Sequence, residues 1–254
     1  MQNNQTSAEG TSAAQQGMTG EELAQFEQFK KIKLLEQTRA RISKVECDNL
    51  SPVASRAELK NLCRDAERLG LGAIVVLPVF IKPCVAYLGS DPKCSLVSVV
   101  SYPHGSDTTQ SKAAAVKRAV KDGVDEVEVY APVSAIKEGN LVYFKRECKK
   151  LLRAAKPRAL RIVLDCSYLD EKELIRACNC IADCGVNCVR LVNAGGLSAI
   201  ASAKTALHGK SNLKADAHTL AEMEEAEALG VSFVNCNGAV EICSRMLAQA
   251  QTGE

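Results

Sequence analysis

From Val45 onward the chain alternates short β-branched runs with segments of helical periodicity, and this alternation restricts the fold more than any other feature. Parallel strands cannot be joined by a tight turn; they need a crossover of about a dozen residues or more, usually a helix. Eight runs read as strands: VEC from 45, AIVVL from 73, LVSVV from 96, EVEVY from 126, RIVLD from 161, CVRLV from 188, NLKA from 212 and SFVNC from 232. Between them lie helical segments such as SRAELKNLCRDAERLG, TQSKAAAVKRAVKDG, DEKELIRACNCIADCG and TLAEMEEAEALG. These four end on Gly70, Gly123, Gly185 and Gly230, residues that take the left-handed conformation closing a helix without a Cβ clash. Eight strand-helix units predict an α/β fold, a single (β/α)8 TIM barrel. A doubly wound sheet is the competing arrangement, but no GxGxxG follows the first strand and no Walker loop is present.

Ahead of the barrel, residues 1–18 are small, polar and aperiodic, which predicts a disordered tail, with one domain over 19–254. Thr19 and Glu22 form a capping-box pattern, and Leu23, Phe26, Phe29, Ile32 and Leu35 then recur at helical spacing. That predicts an extra amphipathic N-terminal helix whose apolar stripe packs on the end of the barrel. Lys30, Lys31 and Lys33 read as its solvated face. With 254 residues, 46% of them hydrophobic, the chain can bury a full core. A net charge of +2 gives no drive towards nucleic acid or an anionic membrane. No apolar run approaches the roughly 18 residues of a membrane span, and the N-terminus lacks a signal-peptide layout, so a cytoplasmic protein is expected. The twelve cysteines read first as small core residues. Cys178, Cys180, Cys184 and Cys188 are the tightest group, and Cys180 and Cys184 share a helix face; zinc binding or redox sensing is the minor alternative, lacking any CxxC pair or flanking His.

Alternation across the strands assigns faces. Val127 and Val129 take the helix side of EVEVY, so Glu126, Glu128 and Tyr130 point into the barrel. The same rule turns Arg161, Val163 and Asp165 inward, and likewise Arg190 and Lys214. Glu128, Asp165, Arg190 and Lys214 are therefore expected to converge at the C-terminal strand ends, where barrels of this kind keep their chemistry. Two acids and two bases there make either a neutral salt-bridge plug or a site, and Arg190 is expected to pair with Glu128 or Asp165.

These residues sit in motifs that resemble the deoxyribose-phosphate aldolase family from about Lys44 to Met246. In strand order they are VECDNLSP, GAIVVLPVFI, VVSYPHGSD, DEVEVYAPVSAIKEGN, LRIVLD, GVNCVRLVNAGG and NLKA. The resemblance implies a class I aldol cleavage of 2-deoxyribose 5-phosphate to glyceraldehyde 3-phosphate and acetaldehyde, with no metal or other cofactor. It implies a Schiff-base lysine on strand six, a second lysine on strand seven that activates it, and a strand-four aspartate in the proton relay. Here Lys214 matches the second lysine and Glu128 replaces the aspartate, while Arg190 occupies the nucleophile position. A guanidinium stays protonated and forms no ordinary Schiff base. Where the family has hydroxyls and glycines for phosphate, this chain has Leu191-Val192-Asn193-Ala194, Asp216-Ala217-His218 and Asn237-Gly238, and AQAQTGE carries no C-terminal tyrosine.

The expectation is a pseudoenzyme with a protein-binding or regulatory role, reached through the N-terminal helix or the mouth loops. A homodimer is compatible with the family. The alternative is an active enzyme in which Lys214 becomes the nucleophile and Arg190 the cation that activates it. Lys82 reads as a solvated loop residue, His104 as a structural turn residue, and His218 as a loop residue without a catalytic partner.

Overall fold

Eight parallel strands close into a barrel in sequence order, β1 pairing with β8 as well as β2. The structure, a computed structural model, describes residues 19–253; the tail expected over 1–18 lies outside them. The strands are β1 (Val45–Asn49), β2 (Ala73–Val76), β3 (Ser95–Val100), β4 (Glu126–Tyr130), β5 (Ala159–Asp165), β6 (Cys188–Val192), β7 (Asn212–Asp216) and β8 (Phe233–Asn235). The helices are α1 (Gly20–Ile42), α2 (Arg56–Leu69), α3 (Ile81–Leu88), α4 (Thr109–Asp122), α5 (Val133–Lys137), α6 (Leu141–Ala155), α7 (Glu171–Cys184), α8 (Leu197–Ala206), α9 (Leu220–Ala228) and α10 (Ala239–Thr252). The predicted (β/α)8 barrel with an N-terminal helix is therefore the observed fold.

Local chemistry explains where the crossover helices begin and end. Ser55 and Glu58 form a reciprocal capping box at the start of α2, and Asp170 and Glu173 do the same for α7. Thr108 and Thr219 accept the N3 amides of α4 and α9. Each such cap supplies about 1 kcal/mol by satisfying amides that have no partner inside the helix. Gly70, Gly123 and Gly185 close α2, α4 and α7 in the left-handed conformation. Beyond α9 the helical carbonyls are taken up by Leu229 first, and Gly230 follows at φ 78°.

The barrel interior is divided. Ala73, Val75, Val97, Val99, Tyr130, Val163 and Val192 form one apolar cluster, drawn mainly from β2 and β3. The opposite side, from β1 and β4 to β7, is filled by ionised side chains. Behind β4, the buried Lys112 of α4 donates to Glu147 of α6 at 2.8 Å and to the Tyr130 carbonyl at 2.9 Å. This pair fastens two helices to the strand end that forms the barrel mouth. Gly105 brings the loop after β3 against the end of β4 so closely that a Cβ would lie 1.9 Å from the Ala131 carbonyl oxygen.

The described residues separate into two compact units, Arg41–Ser244, which holds the barrel, and a second made of the described residues before Arg41 and after Ser244. In the second unit the Thr19 and Glu22 capping box is formed, with Glu22 accepting the Thr19 amide at 2.8 Å. Lys30 bridges to Glu27 at 3.1 Å and lies over the Phe26 ring at 4.5 Å. Along its apolar stripe Phe29 is 62% and Ile32 50% exposed, and Phe26 and Leu35 are half-buried. Helical spacing shows that these residues share a face, whereas burial of that face needs a partner surface that spacing does not specify. No helix among the described residues is long and apolar enough to cross a membrane.

Candidate functional site

Pairing across the strands places Arg190 opposite Lys214, Glu128 opposite Arg161, and Asp216 opposite Asn235. All of these side chains project into the barrel, and with Glu46 and Asp48 of β1 charges from five strands must find partners inside it. Arg190 uses three of its nitrogens: Nη1 donates to Glu128 at 2.8 Å, Nη2 to Asp48 at 2.9 Å and Nε to Asp216 at 3.1 Å. Lys214 lies deeper, its Nζ donating to Glu46 at 2.6 Å and to Glu128 at 2.8 Å. At the far end Arg161 forks onto Glu46 and Glu126, each at 2.7 Å, and its guanidinium lies 5.2 Å from the Phe233 ring centre. Glu46 and Glu128 thus join three cations into one continuous network.

Five carboxylates, of Glu46, Asp48, Glu126, Glu128 and Asp216, face these three cations. Burial works to raise the Glu128 pKa, but Lys214, Arg190 and Arg161 outweigh it and hold the carboxyl well below the ordinary carboxylate range. Burial likewise disfavours the Arg190 cation, and Glu128, Asp216 and Asp48 override it, fixing the guanidinium in its charged form. For Asp216 burial prevails over Arg190 and the pKa is raised. Burial also raises Tyr130, keeping it a phenol.

Above this network the mouth opens into a cavity of about 630 Å³, lined by Asp48, Tyr130, Asp165, Arg190, Asn193 and Asp216 among others. Lys214 does not line it. With Glu128 it forms a layer beneath the floor, both at 0% exposure, and Arg190 covers them.

The structure therefore brings together three of the four expected residues, Glu128, Arg190 and Lys214. Of the two expected partners of Arg190, Glu128 is the one it bonds, while Asp165 reaches the cavity but not the network. Its carboxylate accepts the Ser167 amide at 3.0 Å, the Ser167 hydroxyl at 2.6 Å and the Asn193 amide at 3.0 Å. Besides Glu128, Arg190 is satisfied by Asp48 and Asp216. Glu46 and Asp48 escaped the sequence reading, which assigned no faces to the first strand; alternation through VECDN turns both inward. Asn235 is a further unforeseen member. Its amide donates to Asp48 at 2.8 Å, while its buried Oδ1 has no partner among the described residues.

Lys82 is 69% exposed and pairs with Asp122 at 3.6 Å, away from the mouth. His104 and His218 are exposed, and neither lines the cavity. Among the described residues, no group of three or more His, Cys, Asp or Glu side chains is arranged to hold a metal ion.

A closed parallel barrel with a cavity and ionised side chains at the C-terminal strand ends defines a TIM barrel with its candidate site at the usual face. Solved structures agree on the fold: the aldolase QR15 superposes with a TM-score of 0.78 at 20% identity, covering 84% of this chain and 98% of its own. The tetrameric deoxyribose phosphate aldolase of Aeropyrum pernix gives 0.73 at 19% identity, covering 83% and 95%. No protein-family model matches the chain. Among curated relatives, the deoxyribose-phosphate aldolase of Clostridium botulinum is 30% identical over 141 residues, 56% of this chain and 66% of the relative. That of Caldicellulosiruptor saccharolyticus is 29% identical over 140 residues, 54% of this chain and 63% of the relative. The chain thus spans slightly less than two thirds of the length of the curated relatives it matches. The chain is a TIM barrel that is similar to the deoxyribose-phosphate aldolases over a little more than half of its length.

Proposed function

We propose that this barrel has given up Schiff-base aldol chemistry and serves a binding or regulatory role. The observation that carries this reading is Arg190, bonded to three carboxylates in the cavity floor where the family resemblance expects the reactive lysine. Attack on a carbonyl needs a free lone pair on nitrogen, which a guanidinium does not offer at any accessible pH. Lys214, the remaining lysine, has no exposed surface, and two carboxylates accept its N–H hydrogens. A carbonyl substrate in the cavity would have to displace both Arg190 and these carboxylates to reach it.

Phosphate recognition is opposed as well. Asp48, Asp165 and Asp216 line the same cavity, and the charge of Arg190 is already matched by its own partners. A phosphate dianion would meet more negative than positive charge. The mouth loops and the N-terminal helix are the surfaces we assign to a protein partner. Self-association as an oligomer is compatible with the family.

The test is trapping with borohydride in the presence of deoxyribose 5-phosphate, acetaldehyde and a panel of other aldehydes and ketones, read by mass spectrometry. We expect no lysine adduct, and cleavage of deoxyribose 5-phosphate more than about a hundredfold slower than by ordinary enzymes, about 2.7 kcal/mol in barrier. An adduct on Lys214 would replace this reading with the active-enzyme alternative.

A further inference from the structure

Charge is spread unevenly over the barrel, in a way that the net +2 conceals. Residues 141–158 carry seven Lys and Arg against a single acid, so the remainder of the chain is net acidic. That acid, Glu147, is buried and pairs inward with Lys112 at 2.8 Å. Along α6 the side chains divide by helical period. Phe144, Cys148, Leu151 and Ala155 are buried, while Val142, Arg146, Lys149 and Arg153 recur at i+3 and i+4 spacing as one exposed stripe. Lys145 and Lys150 flank the stripe, half-buried, and Lys156 continues it past the helix end. We propose that this outer face of α6 is a docking surface for an anionic lipid membrane.

Elsewhere on the barrel, exposed cations are answered locally: Arg118 by Asp122, Arg158 by Asp125, Lys137 by Glu173 and Lys210 by Asp183. The six cations Lys145, Arg146, Lys149, Lys150, Arg153 and Lys156 form no ion pair among the described residues. Like charges this close repel one another, and a dense anionic surface relieves that repulsion.

Shape selects among anions. On one side α6 is tied to α4, whose Thr109 and Lys112 donate to Glu147; on the other it meets α7, whose Cys184 Sγ lies 3.8 Å from the Lys145 carbonyl oxygen. Exposed Lys117 and Lys121 of α4 and Lys172 and Arg176 of α7 widen the positive field. Three neighbouring helices, each about 10 Å across, are too broad for a DNA major groove about 12 Å wide. The outer face of a barrel is convex and gives a single strand no channel. The one exposed aromatic of α6, Tyr143, stands in its first turn with its hydroxyl against Thr109, so no ring is interleaved with the cations to stack bases. An anionic bilayer needs neither groove nor stacking platform, and a cluster of about four to eight Lys and Arg suffices to hold one. Val142, 64% exposed at the head of the stripe, adds an apolar contact at headgroup depth. None of these residues lines the mouth cavity, so the inference stands apart from the reading of the barrel mouth.

The test is co-sedimentation of the full chain with vesicles of equal phosphatidylcholine and phosphatidylserine, against vesicles of phosphatidylcholine alone. Binding is expected to the mixed vesicles only, at low salt, and should vanish in about 1 M sodium chloride, where the Debye length falls to about 3 Å. Each cation near the surface strengthens binding about fivefold, so the triple variant Arg146→Glu, Lys149→Glu, Arg153→Glu should weaken it at least about a hundredfold. Lys44→Glu, Lys60→Glu, Lys93→Glu, at exposed positions on other elements, changes the net charge equally and should leave binding within about threefold. No binding to mixed vesicles at low salt, or equal loss in the two triple variants, would overturn the proposal. So would tighter binding to a DNA duplex or to poly-glutamate than to the vesicles. The wild-type comparison decides the matter even if a triple variant fails to fold.

Discussion

Lys214 Nζ lies 2.8 Å from Glu128 Oε1, and neither side chain has any surface open to water. Neither charge can therefore exchange its partner for solvent. Glu128→Gln keeps the shape of the side chain and removes its charge, leaving Lys214 and Arg190 each short of a carboxylate in a dry interior. Breaking one member of such a buried network costs about 3–5 kcal/mol. Urea unfolding followed by circular dichroism should show that loss, and a loss below about 1 kcal/mol would mean the network is wetter than its geometry implies.

The pH dependence follows from the same carboxylate. The folded-state pKa of Glu128 is depressed below its ordinary value of 4.5, so its contribution to stability is fully present above that value and is lost as pH falls towards the folded pKa. Glu173 and Asp170, held low at the start of α7 mainly by backbone amides, act with the same sign. Thermal unfolding from pH 7 down to pH 2 should therefore show a steady decline setting in below about 4.5. A melting temperature that stays flat across this range would count against an ionised Glu128 in the core.

Arg190→Lys restores an amine on strand six but not its setting. One lysine nitrogen cannot reproduce three separate guanidinium donors aimed at Glu128, Asp48 and Asp216. At least one buried carboxylate loses a hydrogen bond, costing about 1–3 kcal/mol. We expect deoxyribose 5-phosphate cleavage to stay undetected in this variant, because the acidic cavity lining is unchanged. Recovery of activity would place the whole lesion at this one position.

Gly105→Ala tests the joint between the β3 loop and the end of β4. Gly105 has φ 66°, and the added Cβ would overlap the Ala131 carbonyl oxygen, a backbone atom that cannot swing away. Strain and clash together should destabilise the fold by more than about 2 kcal/mol. Gly70→Ala is the control: its φ is similarly positive, but its Cβ would meet no atom within 4 Å, so only the smaller conformational cost of about 1 kcal/mol applies.

The strands were readable because each is a short β-branched run between turn residues, and EVEVY and CVRLV coincide with β4 and β6 residue for residue. Alternation also gave the correct inward faces for Glu128, Arg161, Arg190 and Lys214. Partner choice was not readable in the same way. Which carboxylate an inward arginine reaches depends on the stagger of a closed barrel, and alternation says nothing about stagger. That is why Glu128 and Asp165 were expected as partners of Arg190, the first of them correctly, while Asp48, 142 positions distant in sequence, was not. The helix α3 was hidden for a different reason: Pro78 and Pro83 look like breakers, yet each stands in the first turn of a helical segment, where proline needs no amide partner.

β1 supplies Glu46 and Asp48 to cations that lie 115, 142 and 168 positions further along the chain. While the first half of the barrel is being synthesised, these two acids have nothing to neutralise them, and water remains their better environment. The earliest strand to leave the ribosome can thus be secured only after the strands carrying Arg161, Arg190 and Lys214 have followed. Such long-range closure makes for slow, late consolidation, and a chain cut after β4 would keep its acids without ever meeting their counter-charges.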